Sequence, residues 1–328
     1  MLKPITCLIS VLLYLPSVAQ MHKHNEPQVH TFSIVARDSI TGEMAVGVQS
    51  HWFGVGTLVP WGEAGVGVVA TQAAVNKSYG PKALALLKQG FTAQQALDSL
   101  VKTDAAEDVR QVAVLDSKGN AAAHTGKNCI KYAMHLTGSN FSVQSNMMLT
   151  GTVCANMAKA FNASTGKPLA ERVLAALDAA QLAGGDIRGM QAAGLIVVKG
   201  TKTNEPWDDK TLDIRVDDSP QPLKELRRLY NLTIAYGHMN AGDLATEKND
   251  MPKAMAEYHA AMDMFPANTE MQYWTAIALC NNGRVAEALP MLKKIFAGDK
   301  NYKELTRRLV PIKSLTVSDG DLQKILAQ

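Results

Sequence analysis

Charge is scarce in this chain. Asp, Glu, Lys and Arg make up 19% of 328 residues, below the usual quarter or so, and 33 basic against 30 acidic groups leave a formal charge of +3. With no run of about five Lys/Arg, nothing in the balance argues for a nucleic-acid partner. Cysteine is scarce too. Of four, Cys7 lies in an N-terminal apolar run, leaving Cys129, Cys154 and Cys280, an odd number and a poor disulfide framework. A Cys129–Cys154 bridge stays open because both fall in one region, but three buried free thiols fit better. No C-x-x-C or H-E-x-x-H spacing occurs, so a structural or protease zinc site has no support. A P-loop, a dinucleotide fingerprint and a Ser-His-Asp spacing are also missing; Gly54-Val55-Gly56 and Gly65-Val66-Gly67 are lone glycine pairs. Past Pro16 no segment approaches about 18 consecutive apolar residues, so the mature chain is expected to be soluble and off the membrane.

Apolar residues, by contrast, are 47% of the chain, which excludes wholesale disorder. At roughly 100–200 residues per domain, the length points to two domains. Lys3, the apolar stretch from Thr6 to Pro16, and the small residues Ser17 and Ala19 form the pattern of a secretory signal peptide (residues 1–19) cut after Ala19. The protein is therefore expected to be secreted or periplasmic. Residues 20–30 are a polar leader carrying His22, His24 and His30; a solvated tail is the reading favoured over a metal-binding tract.

Thr31 to Asp38 and Glu43 to Ser50 are β-rich, joined by the turn residues Ser39 to Gly42, and Thr57 to Pro60 and Gly65 to Thr71 look like two more strands. Two helices follow, at Pro81 to Lys88 and after the capping-box sequence Thr92-Ala93-Gln94-Gln95. Val109 to Asp116 and Asn120 to Thr125 predict a hairpin, and Phe141 to Gln144 a short strand. Val153 to Phe161 and Pro168 to Ala183 predict helices, the second ended by Gly184-Gly185; Ala192 to Val198 and Leu212 to Val216 predict the last strands. Strands, two helices, strands, two helices, strands is no β-α-β-α alternation, so a doubly wound parallel sheet is disfavoured. An α+β class with two face-to-face sheets and helix pairs outside, a four-layer αββα sandwich, satisfies the order.

From about Tyr230 the pattern is helical and repeats. Ala254 and Tyr258 recur as Ala288 and Leu292, and Asn249 as Gly283, each 34 residues on, with Phe265-Pro266 closing the first unit. A 34-residue period of paired helices resembles tetratricopeptide repeats, the match being better in the second helix of each pair than in the first. Two repeats over 235–299 and a capping helix after Tyr302 are few for a free solenoid, so residues 231–328 are expected to lean on the first domain, 31–230. The resemblance implies a protein partner bound through these helices.

Chemistry centres on Thr31, which opens the first strand. A threonine hydroxyl is a poor nucleophile until a base takes its proton, and the residue's own α-amine can do so if Thr31 is the first residue of the mature chain. Residues 31–230 resemble a bacterial family of unknown function placed among the N-terminal-nucleophile (Ntn) hydrolases. The likeness rests on Thr31 to Asp38, Val55-Gly56-x-x-Val59-Pro60-Trp61, Ala70-Thr71-Gln72 and Asn76-x-x-Tyr79-Gly80-Pro81. It continues through Ala123-His124-Thr125-Gly126, Gly184-Gly185-Asp186-x-Arg188-Gly189 and Arg215 to Asp218 with Pro222, Glu225 and Leu226. The resemblance implies an αββα fold and hydrolysis of a small amide or peptide bond through an acyl-enzyme on Thr31, with neither metal nor organic cofactor. Here a signal peptide and leader precede Thr31, so a cut between His30 and Thr31 is required. Ser50, nineteen residues on, is spaced like the second hydroxyl of the asparaginase-like branch and is a candidate proton relay, against a strand-end hydroxyl bonding backbone. Asp38 either orients a base or begins a turn. Candidate substrate contacts are Asn76, Tyr79, His124, Thr125, Gln144, Asn146, Asp186 and Arg188, each weighed against a cap, a packing role or a loop ion pair. No lysine matches the proteasome branch. A homo-oligomer stays open.

Overall fold

The computed structural model describes residues 27–328; the expected signal peptide, residues 1–19, and two leader histidines, His22 and His24, lie outside the described residues. The chain forms β1 (Gln28–Val29), β2 (Thr31–Arg37), β3 (Met44–Ser50), β4 (Pro60–Glu63) and β5 (Gly67–Ala74), then α1 (Tyr79–Lys88) and α2 (Ala93–Val101). Next come β6 (Arg110–Asp116), β7 (Ala121–Thr125), β8 (Met134–Gly138) and β9 (Phe141–Ser145), then α3 (Val153–Ala163) and α4 (Leu169–Leu182), then β10 (Ala192–Val198) and β11 (Lys210–Val216). The rest is helical: α5 (Pro222–Glu247), α6 (Met251–Met264), α7 (Thr269–Asn281), α8 (Val285–Gly298), α9 (Asn301–Leu309) and α10 (Asp319–Leu326).

The fold is mixed α and β, with two antiparallel sheets. One runs β1-β5-β6-β7, with β4 sharing the β1 edge of β5; the other runs β11-β10-β3-β2-β9-β8. Alternation along each strand decides what each face meets. In β2, Phe32, Ile34 and Ala36 pack with Met157, Phe161, Val173 and Leu177 of α3 and α4. Val35, on the other face, joins Val46, Val48, Val68, Ala113 and Leu115 between the sheets. Val69, Val112 and Val114 face away from that layer and pack under Tyr79, Ala83, Leu97 and Leu100 of α1 and α2. The Thr92 capping box is present: its hydroxyl accepts from Gln95 N, and the Gln95 side chain accepts from Thr92 N.

Three local expectations change. Thr57 to Pro60 is not a strand; a 3-10 turn over Val55–Thr57 follows Gly54, whose φ of 65° favours glycine, and the strand begins at Pro60. Gln28–Val29, expected as solvated tail, is paired to Ala74 and Ala73 of β5. β8, with mixed polarity and half exposed, was not anticipated at all. Cys129, Cys154 and Cys280 are free thiols.

α5 is one 26-residue helix that runs through residue 230. Its Leu223, Leu226 and Tyr230 pack on β10 and β11, while Ala235, Met239 and Ala245 pack with Ala254, Tyr258 and Ala261 of α6. α6 and α8 begin 34 residues apart (285 − 251) and end 34 apart (298 − 264). Ala254, Tyr258, Ala288 and Leu292 are all fully buried. Gly242 matters here, because a Cβ would collide with the Tyr258 ring lying on it. No helix among the described residues is long and apolar enough to cross a membrane.

Candidate active site

Strand register builds the site first. β2 and β3 pair antiparallel with Thr31 opposite Ser50, so the first residue of one strand sits beside the last of the other. Thr31 is fully buried and its hydroxyl donates to the Val29 carbonyl at 2.8 Å. The carbonyl of the preceding residue, His30, accepts from Ser50 Oγ at 2.6 Å and from Arg188 Nη2 at 3.0 Å. Two donors, one of them a cation, therefore aim at the oxygen of the His30–Thr31 peptide bond. That is the arrangement that stabilises negative charge developing on a carbonyl oxygen under attack.

Arg188 is fixed from behind. Asp186, 2% exposed, accepts from Arg188 Nε at 3.0 Å and Nη2 at 2.7 Å, and its oxygens also take the backbone N–H of Arg188 and His51. α4 delivers this pair because Gly184 and Gly185 adopt φ of 116° and 57°, a left-handed exit that glycine makes without strain. His30 is nearly buried, with Nδ1 2.8 Å from Asn146 Oδ1. Because Asn146 Nδ2 donates to Gln111 Oε1 at 2.8 Å, its oxygen faces the imidazole and the proton sits on His30 Nδ1. Burial pulls the His30 pKa below its ordinary value, the Asn146 bond and Asp186 opposing and Arg188 assisting, so the ring is neutral near pH 7.

Behind Thr31 lies a polar network between the sheets. Gln72 Nε2 donates to the Thr31 carbonyl at 3.2 Å and to Gln111 Oε1 at 2.7 Å, while Gln72 Oε1 accepts from Ser33 Oγ at 2.6 Å. Gln144 Nε2 donates to Ser33 Oγ at 2.7 Å. Asn146 donates its backbone N–H to the Thr31 carbonyl at 3.0 Å. Gln111 Nε2 reaches Thr125 Oγ1 at 2.9 Å and the Ser145 carbonyl at 3.0 Å; Thr125 Oγ1 also meets His135 Nδ1 at 2.8 Å. Buried amides satisfied on every side are costly to rearrange, so this network holds the start of β2 in place.

Thus Ser50, Gln144, Asn146, Asp186, Arg188 and, at the far side of Gln111, Thr125 converge on Thr31. Four others do not. Asp38 follows the opposite end of β2, about 20 Å away at ~3.3 Å per residue. There it accepts from the N–H groups of Ile40 and Thr41 and faces Arg172 at 3.7 Å: it shapes a turn and does not reach Thr31. His124 neighbours Thr125 but strand alternation turns it to the outer face, against Glu107 at 3.0 Å. Asn76 and Tyr79 both donate to Asp104 Oδ2, which also pairs with Arg110 Nε at 2.9 Å. Desolvation opposes ionisation of Asp104, but the bonds from Arg110, Ala106, Tyr79 and Asn76 hold its pKa down at about 2. Arg110 in turn donates to the Ala74 carbonyl, so this cluster props the β5 end that pairs with β1.

Sequence reasoning missed His30, Ser33, Gln72 and Gln111 as site residues. Ser33 and Gln72 lie inside stretches that carry the resemblance without being marked as site residues, while His30 in the polar leader and Gln111 in the hairpin strand have no spacing to mark them. Burial raises the thiols of Cys129 and Cys154 to about 11, so both stay protonated and are poor nucleophiles. Among the described residues no group of three or more His, Cys, Asp or Glu is placed to hold a metal ion.

The model of a family of unknown function, DUF1028, matches residues 31–226, and the chain belongs to that family. The crystal structure of a DUF1028 protein from Silicibacter pomeroyi is similar, with 30% sequence identity and a TM-score of 0.56, the match covering 61% of this chain and 84% of that one. A search of curated proteins finds no match.

Proposed function

We propose that this protein is an exported amidohydrolase of the Ntn type, whose nucleophile Thr31 is released by cutting the His30–Thr31 bond. One observation carries the reading: the carbonyl of that bond accepts from both Ser50 and Arg188, and the residue on its amide side is the buried Thr31, whose hydroxyl donates to the Val29 carbonyl. In the cut, Thr31 Oγ adds to the His30 carbonyl carbon, and the oxyanion forms against Ser50 and Arg188. The C–N bond then breaks as the hydroxyl proton passes to the departing amine. Water hydrolyses the resulting ester, leaving a His30 carboxylate and a free Thr31 amine. That amine, with an ordinary pKa of about 7.7–8.0, then serves as base for attack on a substrate amide. The two facing sheets flanked by α1/α2 and α3/α4 support assignment to the αββα sandwich. The 34-residue offset of α6 and α8 and the Gly242–Tyr258 contact support tetratricopeptide-like repeats that bind a protein partner.

A second reading, a binding protein that never exposes Thr31, is favoured by the complete burial of Thr31 and Val29. The two separate in one kinetic experiment on the full chain. Appearance of the Thr31 terminus, followed by intact mass, should slow in Ser50→Ala. A rate unchanged in Ser50→Ala and in Arg188→Gln would remove the proposed oxyanion site.

A further inference from the structure

Residues 27–30 leave a shaped groove behind when they depart. Gln28 and Val29 pair antiparallel with Ala74 and Ala73, and the Pro27 carbonyl accepts from Val75 N at 3.0 Å. β4 uses the same edge of β5 only from Gly67 to Ala70, so without β1 the Ala73–Val75 stretch has open backbone groups. Such an edge recruits an extended peptide by strand addition. Val29 fits wholly into the apolar layer between the sheets, and the imidazole of His30 lies against Asn146. We infer that this groove is the acyl-side binding site for substrate, and that it takes extended peptides whose acyl residue is histidine, preceded by a small β-branched residue. The inference rests on the reading of Thr31 as nucleophile. One hydroxyl attacks both the leader and the substrate, so a substrate's carbonyl must occupy the place of the His30 carbonyl and its acyl chain the place of residues 27–29.

The same geometry defines the product complex. Hydrolysis turns the acyl-enzyme and one water into the free Thr31 hydroxyl and a peptide carboxylate. That carboxylate lies against Ser50 Oγ and the Arg188 guanidinium, and a charge-assisted pair is stronger than the same contact to a neutral carbonyl. The cut leader is thus the first product and an inhibitor of the freed site until it leaves.

The probes are the tripeptide Gln-Val-His as free acid, as carboxamide, and as its aminomethylcoumarin amide. The protein is the exported chain, its terminus read by intact mass. In parallel, a chain beginning Met-Thr31 is made in the cytoplasm, where removal of the initiator methionine exposes Thr31 whether or not the full chain cuts itself. Gln-Val-His acid should bind at least tenfold more tightly than Gln-Val-Asp acid and than Gln-Val-His carboxamide. Arg188→Gln should erase the difference between acid and carboxamide, and the coumarin amide should be hydrolysed. If the full chain does not cut itself but the chain made to begin at Thr31 binds Gln-Val-His with this pattern, the groove stands and self-cleavage falls. If a chain beginning at Thr31 hydrolyses other amides while Gln-Val-His neither binds nor inhibits, the groove is overturned and the nucleophile stands. Loss of both binding and hydrolysis in a folded chain beginning at Thr31 overturns both.

Discussion

The layer between the two sheets has two ends of opposite character. At one end Val35, Val46, Val68, Leu115 and Val198 pack as an apolar cluster. At the other, Thr31, Ser33, Gln72, Gln111, Gln144 and Asn146 are equally buried but joined by hydrogen bonds. The apolar end stabilises by leaving water, at about 25 cal/mol per Å². The polar end gains little net stability from its bonds and would lose much if one were broken, because each orphaned buried group costs about 1–3 kcal/mol. What it contributes is position: Gln72 and Asn146, tied together through Gln111, hold the Thr31 carbonyl and with it the start of β2 in a single arrangement. A sheet that could have been sealed with valines throughout instead keeps a polar end where Thr31 begins its strand.

Substitutions at the two ends should therefore fail differently. Thr31→Ala should lower processing and amide hydrolysis by about 1,000-fold or more, as loss of a nucleophile does, while costing about 1 kcal/mol of stability for one hydroxyl contact. Rates from intact mass and a urea melt test both halves of that statement. Arg188→Gln should slow processing by about 100-fold, the scale of removing one oxyanion donor. Gln111→Ala should cost about 3 kcal/mol by urea denaturation, since it strands the amides of Gln72 and Asn146. Val46→Ala should cost about 2 kcal/mol, a cavity effect, and leave the processing rate unchanged. Equal loss of processing in both variants at matched stability would erase the distinction between the ends.

The smallest effect concerns pH. His30 is depressed mainly by burial, with the charges of Arg188 and Asp186 facing it in opposition. Its contribution to leader docking is full above the ordinary value of 6.5 and is lost as pH falls below 6.5 through the depressed folded value. Uncut Thr31→Ala protein should lose its leader to added protease faster at about pH 5 than at about pH 7.5. An unchanged rate would mean the ring does not hold the leader.

How much of this was legible in the sequence follows from the range of the interactions. The Thr31–Ser50 pair was legible through the nineteen-residue spacing it shares with the asparaginase-like branch, and the β2–β3 register sets the two residues opposite each other. Arg188 was readable as a group displayed by a glycine exit from a helix. Its target was not, since the His30 carbonyl lies 158 residues away in sequence. Gln72 and Gln111 stand beside other polar residues, Thr71 and Arg110, in strands that are mostly apolar, and nothing in the sequence joins the two; only the packing of one sheet on the other brings them to β2. His124 and Thr125 looked equivalent side by side, and alternation sends them to opposite faces. The leader misled most: Gln28-Val29-His30 is polar enough to read as a tail, yet it completes a sheet edge.

The most direct test is the N-terminus and activity of exported wild-type and Thr31→Ala protein, read by intact mass and an amide-hydrolysis screen. The account predicts a wild-type chain that begins at Thr31 and hydrolyses amides, and a Thr31→Ala chain that retains His30 and is inactive. Wild-type protein that begins uniformly at Gln20 and is fully active would contradict it.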